Sequence, residues 1–237
     1  MNGESSRVVL VTGAAGGLGR AVVEELARNG DQVLAGWHSK PLENLPPNAS
    51  PVALDVTSDE QCRAAIDLAL ERHGRIDAVI HCGGVAHNAL LARLADEDWD
   101  RTFRVNLDGA MRIARAALRP MIRQRSGHIV QIGSLAGVTG AAGRIPYAAS
   151  KAAVHGLTQS LAREVGGRNV RVNTVIPGAM MTAMVADLGP EHVAKFIADN
   201  ALGRLNDPAE VARFIAFLIG TQNISGQLFN LDSRIHS

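Results

Sequence analysis

The sequence predicts a doubly wound α/β fold, a parallel sheet with helices on both faces. Three observations carry this reading. Short β-branched runs alternate with helical patterns along the whole chain, the order that parallel βαβ units require. The first run, Val8-Val9-Leu10-Val11, is apolar without alternation, as suits a strand covered on both faces. The first run passes directly into a glycine-rich turn and a helix, and in such sheets ligands bind at the carboxyl ends of the strands.

In chain order, Arg7-Val8-Val9-Leu10-Val11 reads as the first strand. It leads into Thr12-Gly13-Ala14-Ala15-Gly16-Gly17-Leu18-Gly19, then a helical pattern over residues 20–29 that Gly30 stops. Glycines here let the backbone approach a pyrophosphate, whose charge the helix N-terminus favours. Gly13, Ala15, Gly16, Gly17, Leu18 and Gly19 are therefore assigned to a dinucleotide. The plainer alternative is a tight turn without a ligand. The second strand covers residues 32–36, and the residues beyond it select the nucleotide. A carboxylate there would accept from the adenosine ribose and favour NAD. This chain has Trp37-His38-Ser39-Lys40. With no carboxylate among these four and with His38, Ser39 and Lys40 able to donate, NADP(H) is expected in preference to NAD(H).

Residues 41–51 hold Pro41, Pro46, Pro47 and Pro51 and read as a loop. A third strand over residues 52–54 ends at Asp55-Val56. Thr57 or Ser58 then caps a helix running to His73, with Glu60 or Gln61 completing a capping box. Asp55 either accepts from the adenine amine or supports that helix start. The fourth strand, residues 76–80, is followed by His81-Cys82-Gly83-Gly84, where glycines again mark a close backbone approach. A helix starts over residues 96–106 and continues over 107–125, with Pro120 as a kink or a boundary near its end. The fifth strand, residues 129–132, leads to Ser134, and a long helix follows over residues 147–165. The sixth strand, residues 169–176, ends at Pro177-Gly178. Residues 179–201 form a helical excursion with Met180, Met181 and Met184, adaptable side chains that suit a lid over a substrate. A helix over residues 208–219 and a strand over 227–231 complete one domain spanning residues 1–237.

The chemistry is read from Ser134, Tyr147 and Lys151. Residues four apart share a helix face, so the Lys151 ammonium lies one turn from the Tyr147 phenol. A nearby cation stabilises the phenolate, which makes a phenol a usable general acid near neutral pH. Ser134, at the end of a strand, can hold a carbonyl oxygen against the Tyr147 hydroxyl. A tyrosine and a lysine at this spacing are common on solvated helices. The weight comes from the glycine turn, Asp55, Gly83-Gly84, Ser134 and Pro177-Gly178 all falling at strand carboxyl ends.

Composition narrows the classes. Of 237 residues 46% are hydrophobic but only 3% aromatic, so small aliphatic side chains must fill a core of helices on a sheet. The formal net charge is +1 with dispersed basic residues, which gives no nucleic-acid footprint. Cys62 and Cys82 read as reduced thiols. No run approaches membrane-spanning length and residues 1–7 lack a signal-peptide core, so a cytoplasmic protein without a membrane partner is expected.

Together these residues resemble the short-chain dehydrogenase/reductase family over almost the whole chain. Thr12-Gly13-x-x-x-Gly17-x-Gly19 has the family's glycine spacing, and Asp55-Val56 is similar to its adenine-binding pair. Asn106, Ser134, Tyr147 and Lys151 fall at its catalytic tetrad. Pro177-Gly178 with Thr182, and Met180 between them, is similar to its nicotinamide-side motif. Within the family, Asn88 to Leu94, Leu118 to Met121, Ser160 to Val165 and Leu202 to Leu205 are similar to the 3-oxoacyl-[acyl-carrier-protein] reductases of fatty acid synthesis. That likeness implies NADPH-dependent reduction of a 3-oxoacyl thioester, with Lys151 also holding the nicotinamide ribose and Asn106 supporting a water chain to Tyr147. It implies a homotetramer formed through the helices at 107–125 and 147–165, and an acyl carrier protein docked at Arg125 and Arg168. By the same resemblance His38, Ser39, Cys82, Gly83 and Gly84 line the cofactor site. The chain departs from the family at His81-Cys82-Gly83-Gly84, where Asn-Asn-Ala-Gly is usual. It departs again at Gly16, where many NADP enzymes carry a basic residue, and at Leu231-Asp232-Ser233-Arg234, where Gly-Gly commonly follows the Asp. Another alcohol or ketone as substrate, or a non-catalytic NADP-binding regulator, are the competing readings.

Overall fold

The computed structural model describes residues 6–234. Seven strands, β1 (Val8–Thr12), β2 (Gln32–Trp37), β3 (Ala49–Ala53), β4 (Ala78–His81), β5 (Gly127–Ile132), β6 (Val170–Ile176) and β7 (Leu228–Asn230), form one sheet. Their order is β3-β2-β1-β4-β5-β6-β7 and every pair is parallel. The helices are α1 (Gly17–Arg28), α2 (Asp59–His73), α3 (Asp96–Phe103), α4 (Gly109–Gln124), α5 (Ala136–Thr139), α6 (Ile145–Val165), α7 (Ala183–Ala186), α8 (Pro190–Ala198) and α9 (Pro208–Leu218). This is a Rossmann-type doubly wound fold. Alternate residues of one strand enter opposite cores: Val8 and Leu10 pack with α2, α4 and α6, whereas Val9 and Val11 pack with α1 and α9. Two buried faces explain why β1 is apolar without alternation; β5 and β6 are buried as completely but carry polar residues, His128 and Gln131 on β5 and Arg171, Asn173 and Thr174 on β6. None of these helices is long and apolar enough to cross a membrane.

The boundaries move for physical reasons. β3 starts at Ala49, upstream of the expected strand, and contains Pro51. An edge strand has one side without partners, so a residue lacking an N–H is tolerated there. α1 begins at Gly17, inside the glycine turn, with Gly16 as its extended N-cap residue. Ser58 Oγ accepts from Gln61 N at 3.2 Å, while the Gln61 side chain accepts from Asp55 N at 2.8 Å. The cap thus ties the start of α2 to the end of the β3 segment. Pro120 neither breaks nor ends α4, which runs on to Gln124 and closes at Arg125 with φ 51°. The helical excursion at residues 179–201 holds two short helices, α7 and α8, which Gly189 (φ 85°) and Pro190 separate.

Two buried histidines join neighbouring strands. His81 and Thr12 are register partners on β4 and β1, and His81 Nδ1 lies 2.7 Å from Thr12 Oγ1. The residue that departs from the family pattern therefore still links the central strands. His128 on β5 accepts at Nε2 from Asn173 Nδ2 of β6, at 2.8 Å. Burial, helped by the Lys151 charge, pushes His81 down to about 3; burial and then Arg171 do the same to His128, against a raising influence of the Ile219 backbone. In the unfolded chain histidines titrate near ~6.5, so below that pH the unfolded state takes up protons that the folded state refuses until about 3. Stability is complete above ~7 and falls as pH drops from ~6.5, by up to about 1.4 kcal/mol per pH unit per histidine. Urea midpoints measured from pH 7 to pH 5 should fall on this account. His128→Gln should flatten the fall, and an unchanged slope in that variant would contradict it.

Candidate active site

The strand order reverses between β1 and β4, and the segments leaving their carboxyl ends frame a cleft, as open α/β sheets dictate. Gly13 takes φ 65°, and a Cβ placed on it would lie 2.7 Å from Gly83 N. One placed on Gly19 would lie 2.2 Å from Gly13 O. The turn after β1 is thus packed backbone to backbone against the loop after β4 and against its own helix. On the far side, a Cβ on Gly17 would come within 3.0 Å of Thr182 Cγ2, so the start of α1 faces the loop after β6. Asn206 Nδ2 holds that loop by donating to Pro177 O and Leu231 O, each at 2.7 Å.

Asn106 sits in a π-helical turn, Arg104–Asp108, between α3 and α4, the kind of irregularity that recurs at functional sites. Its side chain is fully buried. Oδ1 accepts from Val85 N at 2.8 Å, and Nδ2 donates to Val85 O at 2.9 Å and to Ser150 Oγ at 3.0 Å. Ser150 Oγ in turn donates to Tyr147 O at 2.8 Å. The Asn106 side chain is therefore engaged in fastening the loop after β4 to α6, and among its hydrogen bonds none reaches the Tyr147 hydroxyl. Lys151, 4% exposed, donates from Nζ to Ile132 O at 2.7 Å, which anchors the ammonium to the end of β5. A Cβ on Gly84 would lie 3.3 Å from Asn106 Oδ1 and 3.6 Å from Lys151 Nζ, so both groups converge on the loop after β4.

Tyr147, 8% exposed, lies with its ring centroid 5.9 Å from Lys151 Nζ. Ser134 Oγ accepts from Ala136 N at 3.2 Å, and its hydroxyl hydrogen has no acceptor among the described residues. Tyr147, Lys151 and Ser134 line one cavity of about 530 Å³. Gly16, Leu18, Cys82, Pro177, Gly178, Met180 and Thr182 line it too. A second cavity of about 660 Å³ is bounded by Ala15, Trp37, His38, Ser39, Asp55, Val56 and Gly83. The two share Gly13, Gly84, Val85 and Arg101, and form one cleft across the strand ends. A long molecule with a phosphate-bearing middle fits this shape: bare glycine backbone lies at the centre, with polar groups at either end. Asp55 belongs to the second cavity. Burial raises its carboxyl, but hydrogen bonds from Thr57 N and Oγ1, both 2.8 Å, outweigh this with help from His38 and Arg112, and hold it below the usual carboxylate range. Its second oxygen lies 3.5 Å from His38 Nε2. Oδ1 thus supports the start of α2, one of the two roles open in the sequence, while Oδ2 lies toward His38.

Several residues here were not legible in advance. Arg101 and Arg104 line the second cavity beside Glu97 and Asp100, whereas Lys40 does not. Ser150, buried on the same helix as Tyr147, could have been found from its i+3 spacing; Val85 had no signal. Arg125 and Arg168 are both exposed, and Asn169 Nδ2 donates to Arg125 O at 2.8 Å, so the two arginines belong to adjoining turns. These turns immediately precede β5 and β6, at the amino edge of the sheet and opposite the cleft.

A buried Tyr-Lys pair and a serine at one end of a dinucleotide-shaped cleft on a Rossmann-type sheet define an oxidoreductase architecture. The comparisons make this specific. A family model described as short chain dehydrogenase matches residues 7–192. The chain is 37% identical over 236 residues to the 3-oxoacyl-[acyl-carrier-protein] reductase FabG of Thermotoga maritima, covering 95% of this chain and 96% of that protein. It is also 37% identical over 233 residues to carbonyl reductase family member 4 of Danio rerio, covering 96% and 97% respectively. Among solved structures, gox2181 superposes with a TM-score of 0.89 at 30% identity, covering 97% of this chain and 95% of that one. A structure of ElxO with NADP bound also superposes with a TM-score of 0.89, at 26% identity, covering 97% and 98%. The chain belongs to the short-chain dehydrogenase family and is an oxidoreductase.

Proposed function

We propose that this protein uses NADPH to reduce the 3-oxo group of an acyl thioester, carried on an acyl carrier protein, to the 3-hydroxy product. The single observation that supports it most is the placement of Tyr147, Lys151 and Ser134 around one cavity that opens into the nucleotide cleft. NADPH, when bound, supplies the hydride. Ser134 donates its hydroxyl hydrogen to the carbonyl oxygen, orienting it and stabilising the charge that develops there. Tyr147 gives its proton to the same oxygen, and the Lys151 ammonium stabilises the phenolate left behind. Val85 and Ser150, held by Asn106, keep the cleft wall and the tyrosine helix in register. The reading takes NADPH over NADH because residues 37–40 bring no carboxylate, and His38 and Ser39 line the adenosine side.

The homology to FabG proteins supports the thioester, and the arginines at the amino edge suit an acidic carrier. A carrier held at Arg125 and Arg168 would face away from the cleft of the same chain, so it would serve the cleft of a second copy. The tetramer expected through α4 and α6 supplies such copies, and sedimentation gives its mass. The zebrafish carbonyl reductase relative favours a second reading, a ketone without a thioester. Absorbance of NADPH is followed with acetoacetyl thioester and, in parallel, with simple ketones and with NADH. Consumption fastest with the thioester and NADPH is expected. Binding of NADPH without consumption on the thioester would overturn the proposal, and preferential loss on ketones would favour the second reading.

A further inference from the structure

Arg144 precedes α6 as its N-cap residue, and its guanidinium carbon lies 4.5 Å from the centroid of the Tyr147 ring. Its Nε and Nη2 are both buried, and neither has a hydrogen-bond partner among the described residues. Burial disfavours the charged guanidinium, with Tyr147 opposing that effect. A partly buried cation whose Nε and Nη2 are cut off from water is costly to leave unpaired, so such a group is normally matched by a counter-charge. Here no carboxylate among the described residues supplies one, unlike Arg7, Arg75 or Arg234, each of which meets an aspartate. Nε and Nη2 are also a specific pair: they are one edge of the planar fork, the edge that a carboxylate engages with two parallel bonds.

Arg144 and Ser134 line a third cavity, of about 780 Å³, which adjoins the Tyr147 cavity through Ser134 and Leu135. The other charged groups lining it come from the α7–α8 region and the chain's end: Asp187, His192, Lys195, Asp199 and Arg234. Arg234 is already paired with Asp232 and stacked on Phe196. Arg144, packed on the Tyr147 ring, is therefore a cation beside the reacting groups that has no carboxylate partner among the described residues.

We propose that Arg144 is a specificity-determining residue that pairs with a carboxylate on the substrate, a few bonds from the carbonyl engaged by Tyr147 and Ser134. On binding, the side chain turns its fork into the cavity. The proposal rests on the carbonyl-reduction reading of that site, and narrows it to substrates bearing an anion. Two sources share this chemistry: a free 3-oxo acid, and a 3-oxoacyl thioester whose acyl chain ends in a carboxylate.

The test compares acetoacetate with methyl acetoacetate, and a 3-oxoglutaryl thioester with acetoacetyl thioester, for the native protein, Arg144→Gln and Arg144→Lys. A carboxylate preference is expected in the native protein for at least one pair, and the pair showing it identifies the source. In Arg144→Gln the kcat/KM ratio of carboxylate to neutral substrate should fall about 10- to 100-fold, the range for losing a charged hydrogen bond, chiefly through KM. Arg144→Lys, which keeps the charge but not the fork, should recover part of it. No preference in the native protein, or a ratio that Arg144→Gln leaves unmoved, overturns the proposal while leaving reduction of neutral thioesters intact. Should no substrate be reduced, the functional reading fails instead. Calorimetric titration of malonate into the NADPH-loaded protein then decides: affinity lost in Arg144→Gln supports the anion site, and equal affinity refutes it.

Discussion

Tyr147→Phe will lower NADPH-dependent turnover by about a thousandfold or more, while NADPH still binds. The magnitude is that of removing a positioned general acid. The phenylalanine ring keeps the buried volume, the stack beneath Arg144 and the backbone carbonyl that accepts from Ser150 Oγ. Lys151 keeps its bond to Ile132 O, since that contact does not involve the phenol. On the proposed mechanism, what disappears is the hydroxyl that passes a proton to the carbonyl oxygen beside Ser134. Turnover is read from NADPH absorbance, and binding from the nucleotide's fluorescence. Substantial turnover in this variant would mean that another group delivers the proton and that the mechanism is wrong.

Gly19→Ala is expected to abolish detectable NADPH binding at concentrations that saturate the native protein, and to destabilise the fold by about 3 kcal/mol or more. The added methyl would stand 2.2 Å from Gly13 O, 2.8 Å from Gly13 C and 2.9 Å from Ala14 Cα. All three are backbone atoms of the turn itself, so the turn must move for the methyl to fit. Gly156→Ala is the matched control: it lies within α6 with nothing within 4 Å of the added carbon. There the change should gain about 1 kcal/mol from helix propensity alone. Thermal unfolding and nucleotide titration of the two variants separate local crowding from a general effect of filling a glycine. Native-like binding in Gly19→Ala would show that the turn does not form as described.

The sheet was legible because its strands are covered on both sides, leaving runs such as Val8-Val9-Leu10-Val11 with no polar interruption. Tyr147, Lys151 and Ser134 were legible because helical periodicity and the end of β5 give their relation from sequence distance alone. Asn106 was recognised only by resemblance, since Val85 and Ser150, which define its place, are far from it along the chain. The start of β3 was obscured by Pro51, because only the edge position explains a proline in a strand. Arg144 carries no signal of its own in the sequence; its place depends on neighbours that leave two of its nitrogens without partners among the described residues. The location of Arg125 and Arg168 at the amino edge depends on which end of each strand a turn serves, and it matters once a carrier must reach a cleft on the other edge.

The bond from Lys151 Nζ to Ile132 O gives the site a property of a rigid solid in place of a fluid. A lysine in water carries its charge on a floppy stem and must wait for solvent dipoles to rearrange around each new charge nearby. Here the charge is moored to the main chain of a central strand, so its orientation is settled when the chain folds and not again at each turnover. On the proposed mechanism, proton transfer would not wait for that rearrangement. Softening of β5, by heat or by a distant core substitution, should reach the chemistry as a slower step before the protein visibly unfolds.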